Sequence, residues 1–208
     1  MRILITSGGT SEKIDDVRAI TNHSSGKLGK AIAESFAKDD VTIDMITTRH
    51  AVKPEGKMIH HHLIDSTADL EKALKDLMTK NTYDAVIHSM AVSDFTPESS
   101  VTLEDLEAVM AAKPVDLPKA LVEVANERTE KKISSDTDHL VVVLKKTPKI
   151  ISLIKKLQPQ TILVGFKLLV DVPMIELLNV AKASLEKNQA DFILSLIHIS
   201  EPTRPLYI

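Results

Sequence analysis

The chain has no cysteine and no tryptophan, and only 3% of its 208 residues are aromatic. Without thiols it forms no disulfide and runs no thiolate chemistry, so a reducing compartment suits it and a cytoplasmic location is expected. The scarcity of aromatics argues against the stacking platforms that hold single-stranded nucleic acid. Charge of one sign is also missing. Lys and Arg number 26 against 29 Asp and Glu, a formal net charge of -3, which gives no basic field for a duplex. No apolar run is long enough to span a bilayer. Met1-Arg2 leads directly into Ile3-Leu4-Ile5, with none of the regions of a secretory leader. Neither nucleic acid nor a membrane is expected as a partner. A hydrophobic content of 43% and a charged content of 26% describe an ordinary globular chain, long enough for one domain with a substantial core.

The chain is organised around its first 35 residues. The apolar run Ile3-Leu4-Ile5 breaks at Gly8-Gly9-Thr10, and a polar loop leads to Asn22-His23-Ser24-Ser25-Gly26-Lys27-Leu28-Gly29. A helical pattern follows, with Ala31-Ile32-Ala33 and Phe36-Ala37. A strand feeding a small, hydroxyl-rich loop that opens a helix is how α/β proteins build an anion site. Glycine admits the ligand to the backbone, and free N–H groups at the helix start face negative charge. The two small-residue clusters are predicted to be two walls of one pocket for a phosphate-bearing ligand.

Strands and helices alternate beyond this point. Val41–Ile46 is β-rich, Pro54 and Gly56 break a loop, and Met58–Ile64 is a short strand. Ser66 or Thr67 caps a helix over Ala68–Thr79 with Leu70, Leu74, Leu77 and Met78 on one face. Tyr83–His88 is a buried strand running into Ser89–Phe95. Residues 96–131, acidic early and carrying Pro97, Pro114 and Pro118, break the rhythm and are expected to form an inserted lid or dimerisation excursion with one or two short helices. Leu140–Leu144 is an apolar β run. Thr147 and Pro148 open a helix with Ile150, Ile151, Ile154 and Leu157 on its face. Thr161–Phe166 is a strand, Met174–Lys187 a helix, and Ala190–Leu194 begins another strand. The predicted fold is a Rossmann-like, doubly wound, mostly parallel sheet with helices on both faces, occupying residues 1–194. Ligands of such sheets sit beyond the carboxyl ends of the strands, so the loops after Ile5 and Ile87 are candidates for one pocket. Ser195–Ile208, broken by Pro202 and Pro205, reads as a foreign, non-native tail.

Each motif has a plainer reading. Gly8-Gly9-Thr10 could be only a tight turn. Ser24 to Gly29 fails the P-loop pattern, because position 21 is Thr and Leu28 replaces the Ser or Thr after the lysine. It also fails a strict dinucleotide fingerprint, and a serine-capped helix start is its plain alternative. Asn22 could hydrogen-bond an acyl group or merely sit in a turn. Asp94 could bind a ribose or metal-bound water, or cap a turn. Lysines 131, 132, 145 and 146 could neutralise phosphate or be solvated strand ends. The tract His60-His61-His62 suggests metal, but alternate strand residues point to opposite faces and no carboxylate set completes a shell, so no metal site is predicted.

Taken together, Ile5–Thr10, Asp15–Arg18 and Thr21–Gly29 closely resemble the phosphopantothenate–cysteine ligase family, the phosphopantothenoylcysteine synthetases or CoaB proteins. Met90–Phe95, Lys132–Ser135 with Lys145–Ile150, and Val164–Lys167 agree in order. The resemblance covers about residues 1–194 and suggests the monofunctional bacterial type. It implies a two-step ligation in coenzyme A synthesis. CTP or ATP, with Mg²⁺ bridging its phosphates, activates the carboxylate of 4'-phosphopantothenate as an acyl-nucleotide, and the amine of L-cysteine then displaces the nucleotide. It also implies a homodimer. Residue by residue, Asn22 would handle the acyl-nucleotide and Lys132 (or its neighbour Lys131) would form it. Gly8, Gly9, Thr10, Ser24, Ser25, Gly26 and Lys27 would hold the anionic substrates. His88, Ser89, Met90, Ala91 and Asp94 would form a nucleotide-contacting strand end. Pro148, Lys149, Ile150 and Ile151 would form a nucleotide-binding helix start, Phe166 would lie near the base, and Lys187 or Lys182 would grip phosphate. Two alternatives stand beside it. One is an NAD(P)-binding oxidoreductase, for which Asp44 mimics the acidic residue after the second strand. The other is an inactive nucleotide-binding fragment.

Overall fold

The computed structural model describes residues 1–37, 40–127, 137–169 and 173–197. In chain order the elements are β1 (Arg2–Ser7), β2 (Ser11–Lys13), β3 (Ala19–Thr21), α1 (Lys27–Phe36), β4 (Thr42–Thr48), β5 (Ile59–Ile64) and α2 (Thr67–Lys80). Then come β6 (Ala85–His88), β7 (Phe95–Thr102), α3 (Leu103–Ala111), α4 (Leu117–Asn126), β8 (Leu140–Lys146) and α5 (Ile150–Leu157). The last three are β9 (Ile162–Leu169), α6 (Met174–Asn188) and β10 (Phe192–Ile197).

Six strands form a parallel sheet in the order β10-β9-β6-β1-β4-β5. Counted along the chain this is 3-2-1-4-5-6, the doubly wound order, and its direction reverses between β1 and β6. Strands buried on both faces carry near-continuous apolar runs, and β1 is buried from Ile3 to Ser7 for that reason. Alternate side chains serve opposite cores. Leu4, Ile46, Val86 and Leu163 pack with Leu70, Leu74 and Met78 of α2 and Ile150 and Ile154 of α5. Ile3, Ile5, Ile43, Met45 and Ile87 pack against Ala33 of α1. Helices on both faces, and the predicted apolar stripe of α2, are as the sequence indicated.

Four elements differ from expectation. The polar loop before Asn22 contains an antiparallel hairpin, β2 with β3. The excursion begins with a full strand, β7, which pairs antiparallel with β8 outside the main sheet. The β7 sequence FTPESSVT, polar and containing proline, gives little strand signal. The helix predicted to open at Thr147-Pro148 starts two residues later, at Ile150 with Lys149 as its cap. Thr147 instead turns its hydroxyl to the carbonyl of Ser93 at 2.5 Å. Finally, β10 runs on to Ile197, past the predicted boundary at 194.

Asp44 anchors the amino half of the sheet. It is 2% exposed. Its carboxylate accepts hydrogen bonds from Arg2 Nε at 2.9 Å, His62 Nε2 at 2.9 Å and Tyr83 Oη at 2.8 Å. Burial by itself would raise its pKa, but the bonds from His62, Arg2 and Tyr83 overcome that and hold it below the ordinary value. Burial, followed by the bond to Asp44, pushes the Tyr83 phenol up. Asp44 is thereby consumed in the sheet interior, early in its strand, and does not face a ribose as the dinucleotide alternative requires. His62 belongs to this network, while His61 Nε2 sits 3.0 Å from the Pro54 carbonyl.

Candidate functional site

The Gly8-Gly9-Thr10 turn follows β1 at the carboxyl end of the sheet. Gly8 has φ +94°, and a Cβ there would lie 2.7 Å from Thr48 Oγ1. A Cβ on Gly9 would lie 2.0 Å from the Asn22 carbonyl oxygen, so only glycine lets the Asn22 backbone approach. Asn22 N–H donates to Thr10 O at 3.1 Å, which fastens the return of the hairpin to the turn. Beyond it, Gly26 in the left-handed region (φ 75°) precedes α1, and no side chain caps that helix. The serine-capped helix is therefore not what forms. Ser25 and Lys27 are exposed and Ser24 half-buried around a helix start whose first amides lack a side-chain acceptor. Gly29 sets α1 across the strand ends, because its Cα faces Ser7 and Ser89.

The second wall is built by the segment after β6. Ala91 N–H donates to Gly8 O at 2.9 Å, and Thr10 N–H to Ala91 O at 3.0 Å. Thr147 N–H donates to Asp94 O at 3.0 Å, which draws the approach to α5 alongside. Asn22 and Asp94 thus belong to loops that meet at one end of the sheet through Gly9, Thr10 and Ala91.

A cleft of about 450 Å³ opens beside this junction, between the ends of β6 and β9. His88, Met90 and Asp94 line it from the first side, Pro148, Lys149, Ile150 and Ile151 from the α5 approach, and Phe166 from β9. From α6 come Lys187, Ser184 and the buried Asn188; Lys182 is not part of the lining. Asn188 Oδ1 accepts Ser152 Oγ at 2.6 Å, which clasps α5 to α6. Lys149 Nζ pairs with Asp94 Oδ1 at 2.5 Å across the mouth. At the floor, burial pushes the His88 pKa down to about 4, so the ring is neutral near pH 7, with Nδ1 2.8 Å from Thr6 Oγ1.

The predicted residues therefore fall into two adjoining groups. The Gly8–Thr10 turn, Asn22 and Ser24 to Lys27 form the small-residue wall, and His88, Met90, Asp94, Pro148 to Ile151, Phe166 and Lys187 line the cleft. Ser89 and Ala91 join the groups: Ser89 Oγ donates to Thr6 O at 2.8 Å, and Ala91 holds the turn through its backbone. Thr10 is fully buried and its hydroxyl accepts Ser93 N–H at 2.9 Å, so its side chain supports the wall from within. Lys132 and its alternative Lys131 lie outside the described residues. Ser184, Asn188, Lys167 and Ser93 also line the cleft, and the sequence reading gave none of them a site role. Serine and asparagine four residues apart on an amphipathic helix were the available signal for the first two. Among the described residues, no cluster of three His, Asp or Glu could hold a metal ion, and no helix is long and apolar enough to cross a membrane.

Strand order, glycine turn and a ligand-sized cleft beyond the strand ends define a doubly wound α/β protein of the Rossmann-like class. Residues 1–104 match the family described as the DNA/pantothenate metabolism flavoprotein C-terminal domain, and the chain belongs to that family. It is 31% identical over 194 residues to the coenzyme A biosynthesis bifunctional protein CoaBC of Methanocaldococcus jannaschii, covering 93% of this chain and 40% of that protein. The chain thus spans about two-fifths of the length of such curated relatives. A crystal structure of the DNA/pantothenate metabolism flavoprotein from Streptococcus pneumoniae shares 43% identity with a TM-score of 0.85, over 98% of this chain and 85% of that one. The C-terminal domain of a CoaBC protein aligns with 25% identity and a TM-score of 0.64, over 93% of this chain and 76% of that one.

Proposed function

We propose that the protein is a phosphopantothenate–cysteine ligase acting in coenzyme A biosynthesis. The observation that carries this reading is the junction of an amide- and hydroxyl-rich wall holding Asn22 with a cleft lined by Asp94, Lys149 and Lys187, in a family whose relatives are named for coenzyme A biosynthesis. A nucleoside triphosphate, CTP or ATP, occupies the cleft with its base toward Phe166. A carboxylate oxygen of 4'-phosphopantothenate attacks the α-phosphorus, the P–O bond to pyrophosphate breaks, and an acyl-nucleotide forms. The amine of L-cysteine then attacks the acyl carbon, loses a proton, and expels the nucleoside monophosphate, leaving an amide.

The chain's own groups supply position and charge. The first amides of α1, with Ser24, Ser25 and Lys27, hold a phosphate. Asn22 presents a neutral amide to the acyl group. Lys149 and Lys187 receive the triphosphate tail, Lys149 leaving Asp94 as it does so, and the freed Asp94 takes the ribose. Lys132 meets charge developing on the transferred phosphorus. Mg²⁺ would be held chiefly by the substrate's own phosphates and water, and would neutralise the phosphate oxygens. A homodimer, a cytoplasmic site of action and a non-native segment beyond 194 complete the proposal.

The test is pyrophosphate release with 4'-phosphopantothenate and CTP or ATP, with and without cysteine. Release without cysteine is expected, and Asn22→Asp should keep it while losing most amide formation. Lys132→Gln should abolish release. Absence of release with every nucleotide would leave the inactive fragment as the better reading.

A further inference from the structure

Four buried polar side chains from four separate segments meet behind the wall. Thr10 is 0% exposed, Glu12 3%, Thr67 1% and Ser93 5%. They come from the turn after β1, from β2, from the first residue of α2 and from the loop after β6. Glu12 Oε1 accepts Thr67 N–H at 2.8 Å and Thr67 Oγ1–H at 2.7 Å. With its proton given to Glu12, Thr67 Oγ1 accepts from Thr10 Oγ1 at 3.3 Å, and Thr10 Oγ1 in turn accepts Ser93 N–H at 2.9 Å.

A carboxylate buried this deeply is costly unless its hydrogen bonds are kept. Part of its role is to accept the first amide of α2, which the capping box leaves unpaired, but that alone does not explain a buried carboxylate from another segment. Ser66 and Asp69 already close a capping box at the start of α2, with the Asp69 N–H donating to Ser66 Oγ at 3.1 Å. What Glu12 adds is a tie between segments. At one end of the chain of bonds, Thr10 O holds the Asn22 N–H. At the other, Ser93 and Asp94 carbonyls hold Thr147, which leads into the cleft wall at Pro148 and Lys149.

We propose that Glu12 is a positioning residue: through Thr67, Thr10 and Ser93 it fixes the Asn22 loop in register with the Asp94–Lys149 cleft. The register is a property of the fold, while its effect on catalysis rests on the ligase reading. Misplacement by about an ångström between a reacting group and its partner lowers turnover more than it weakens binding.

Amide hydrogen exchange and steady-state kinetics on the full chain test this together. Glu12→Ala and Thr67→Val should each speed exchange at Asn22 and Ser93 by about tenfold or more, the scale of one lost buried hydrogen bond. The Thr102 amide, bonded to Asp105 in the β7–α3 region, should be unchanged. Glu12→Gln keeps an acceptor oxygen and should restore exchange to within about threefold. In the same variants the kcat for amide formation should fall about tenfold while the nucleotide KM stays within about threefold. Acceleration confined to Thr67, or spread evenly over the chain, would overturn the register. Normal kcat alongside accelerated exchange would overturn the catalytic consequence. If the unaltered protein released no pyrophosphate, the ligase reading would fall by itself, and exchange would still decide the register.

Discussion

The parallel sheet and the β7–α3–α4–β8 excursion are built on opposite plans. The sheet buries both faces, and its strands supply two clusters in which Ile3, Leu4, Ile5, Ile43, Met45 and Leu163 are all at 1% exposure or less. The excursion is a two-stranded antiparallel ribbon with two helices on it, and its core reduces to Val101, Val109 and Leu121. Antiparallel pairs can leave one face to solvent, which explains why β7 reads polar and β1 does not. The comparison teaches where rigidity resides. Every described residue of the candidate site belongs to the sheet, its loops or the helices packed on it, and the excursion joins it where β7 and β8 meet the Asp94 and Thr147 ends of the cleft.

The sharpest way to break this contrast is a cavity in each core. Leu4→Ala should cost about 2–5 kcal/mol and lower the denaturant midpoint of the whole chain. Leu121→Ala should cost about 2 kcal/mol, at the low end of that range, because a small core at the surface relaxes more easily. Exchange should loosen residues 95–126 in that variant while β1 and β4 stay protected. Equal loss of protection in both regions would show that the two cores are one cooperative unit.

Acid should separate them next. Burial holds the His88 pKa at about 4 against an ordinary 6.5, so below pH 6.5 the unfolded chain takes up a proton that the folded chain refuses. The contribution is fully present above pH 6.5 and is lost as pH falls toward 4, a decline of a few kcal/mol seated in the sheet. Asp44 adds to it at lower pH, since its depressed pKa makes its contribution disappear below the ordinary 3.8. Urea midpoints from pH 8 to 4 should show this slope, and His88→Gln should flatten its upper part. A slope undiminished in that variant would assign the acid sensitivity elsewhere.

The smallest effect sharpens the comparison at its margins. Ser66 in the sheet unit and Thr102 in the excursion each complete a capping box, with Asp69 and Asp105 respectively. Ser66→Ala and Thr102→Ala should each cost about 1 kcal/mol. Thermal unfolding should register Ser66→Ala globally and Thr102→Ala only in the exchange of α3.

Much of the architecture was legible because it is written locally. Runs such as Ile3-Leu4-Ile5 and Ile43–Ile46 mark strands buried on two faces, and the spacing of Leu70, Leu74 and Met78 marks the buried stripe of α2. Of the cleft, Asp94 and the loop after Ile87 could be read from their place beyond a strand, whereas His88, Pro148 and Phe166 came only with the family resemblance, because single residues inside β6 and β9 or before α5 carry no local mark of a site. The hairpin of β2 with β3 was not, because strands of three residues are too short to show a period. Nor was β7, whose Pro97 and exposed positions hide its pairing with β8. The start of α5 was misread by two residues because Thr147 before Pro148 imitates a cap, while its hydroxyl was claimed by Ser93.

The sequence by itself determined the strand and helix periodicity, the glycines that let Asn22 and α1 approach the strand ends, and the absence of thiol chemistry. Local burial and backbone freedom are properties of short stretches, so short stretches can announce them. Only the tertiary structure decided that Thr10 faces inward, that Asp44 is spent on Arg2, His62 and Tyr83, and that Glu12 reaches Thr67. A hydrogen bond between residues distant in sequence depends on where the chain crosses itself, and side-chain type alone carries no record of that crossing.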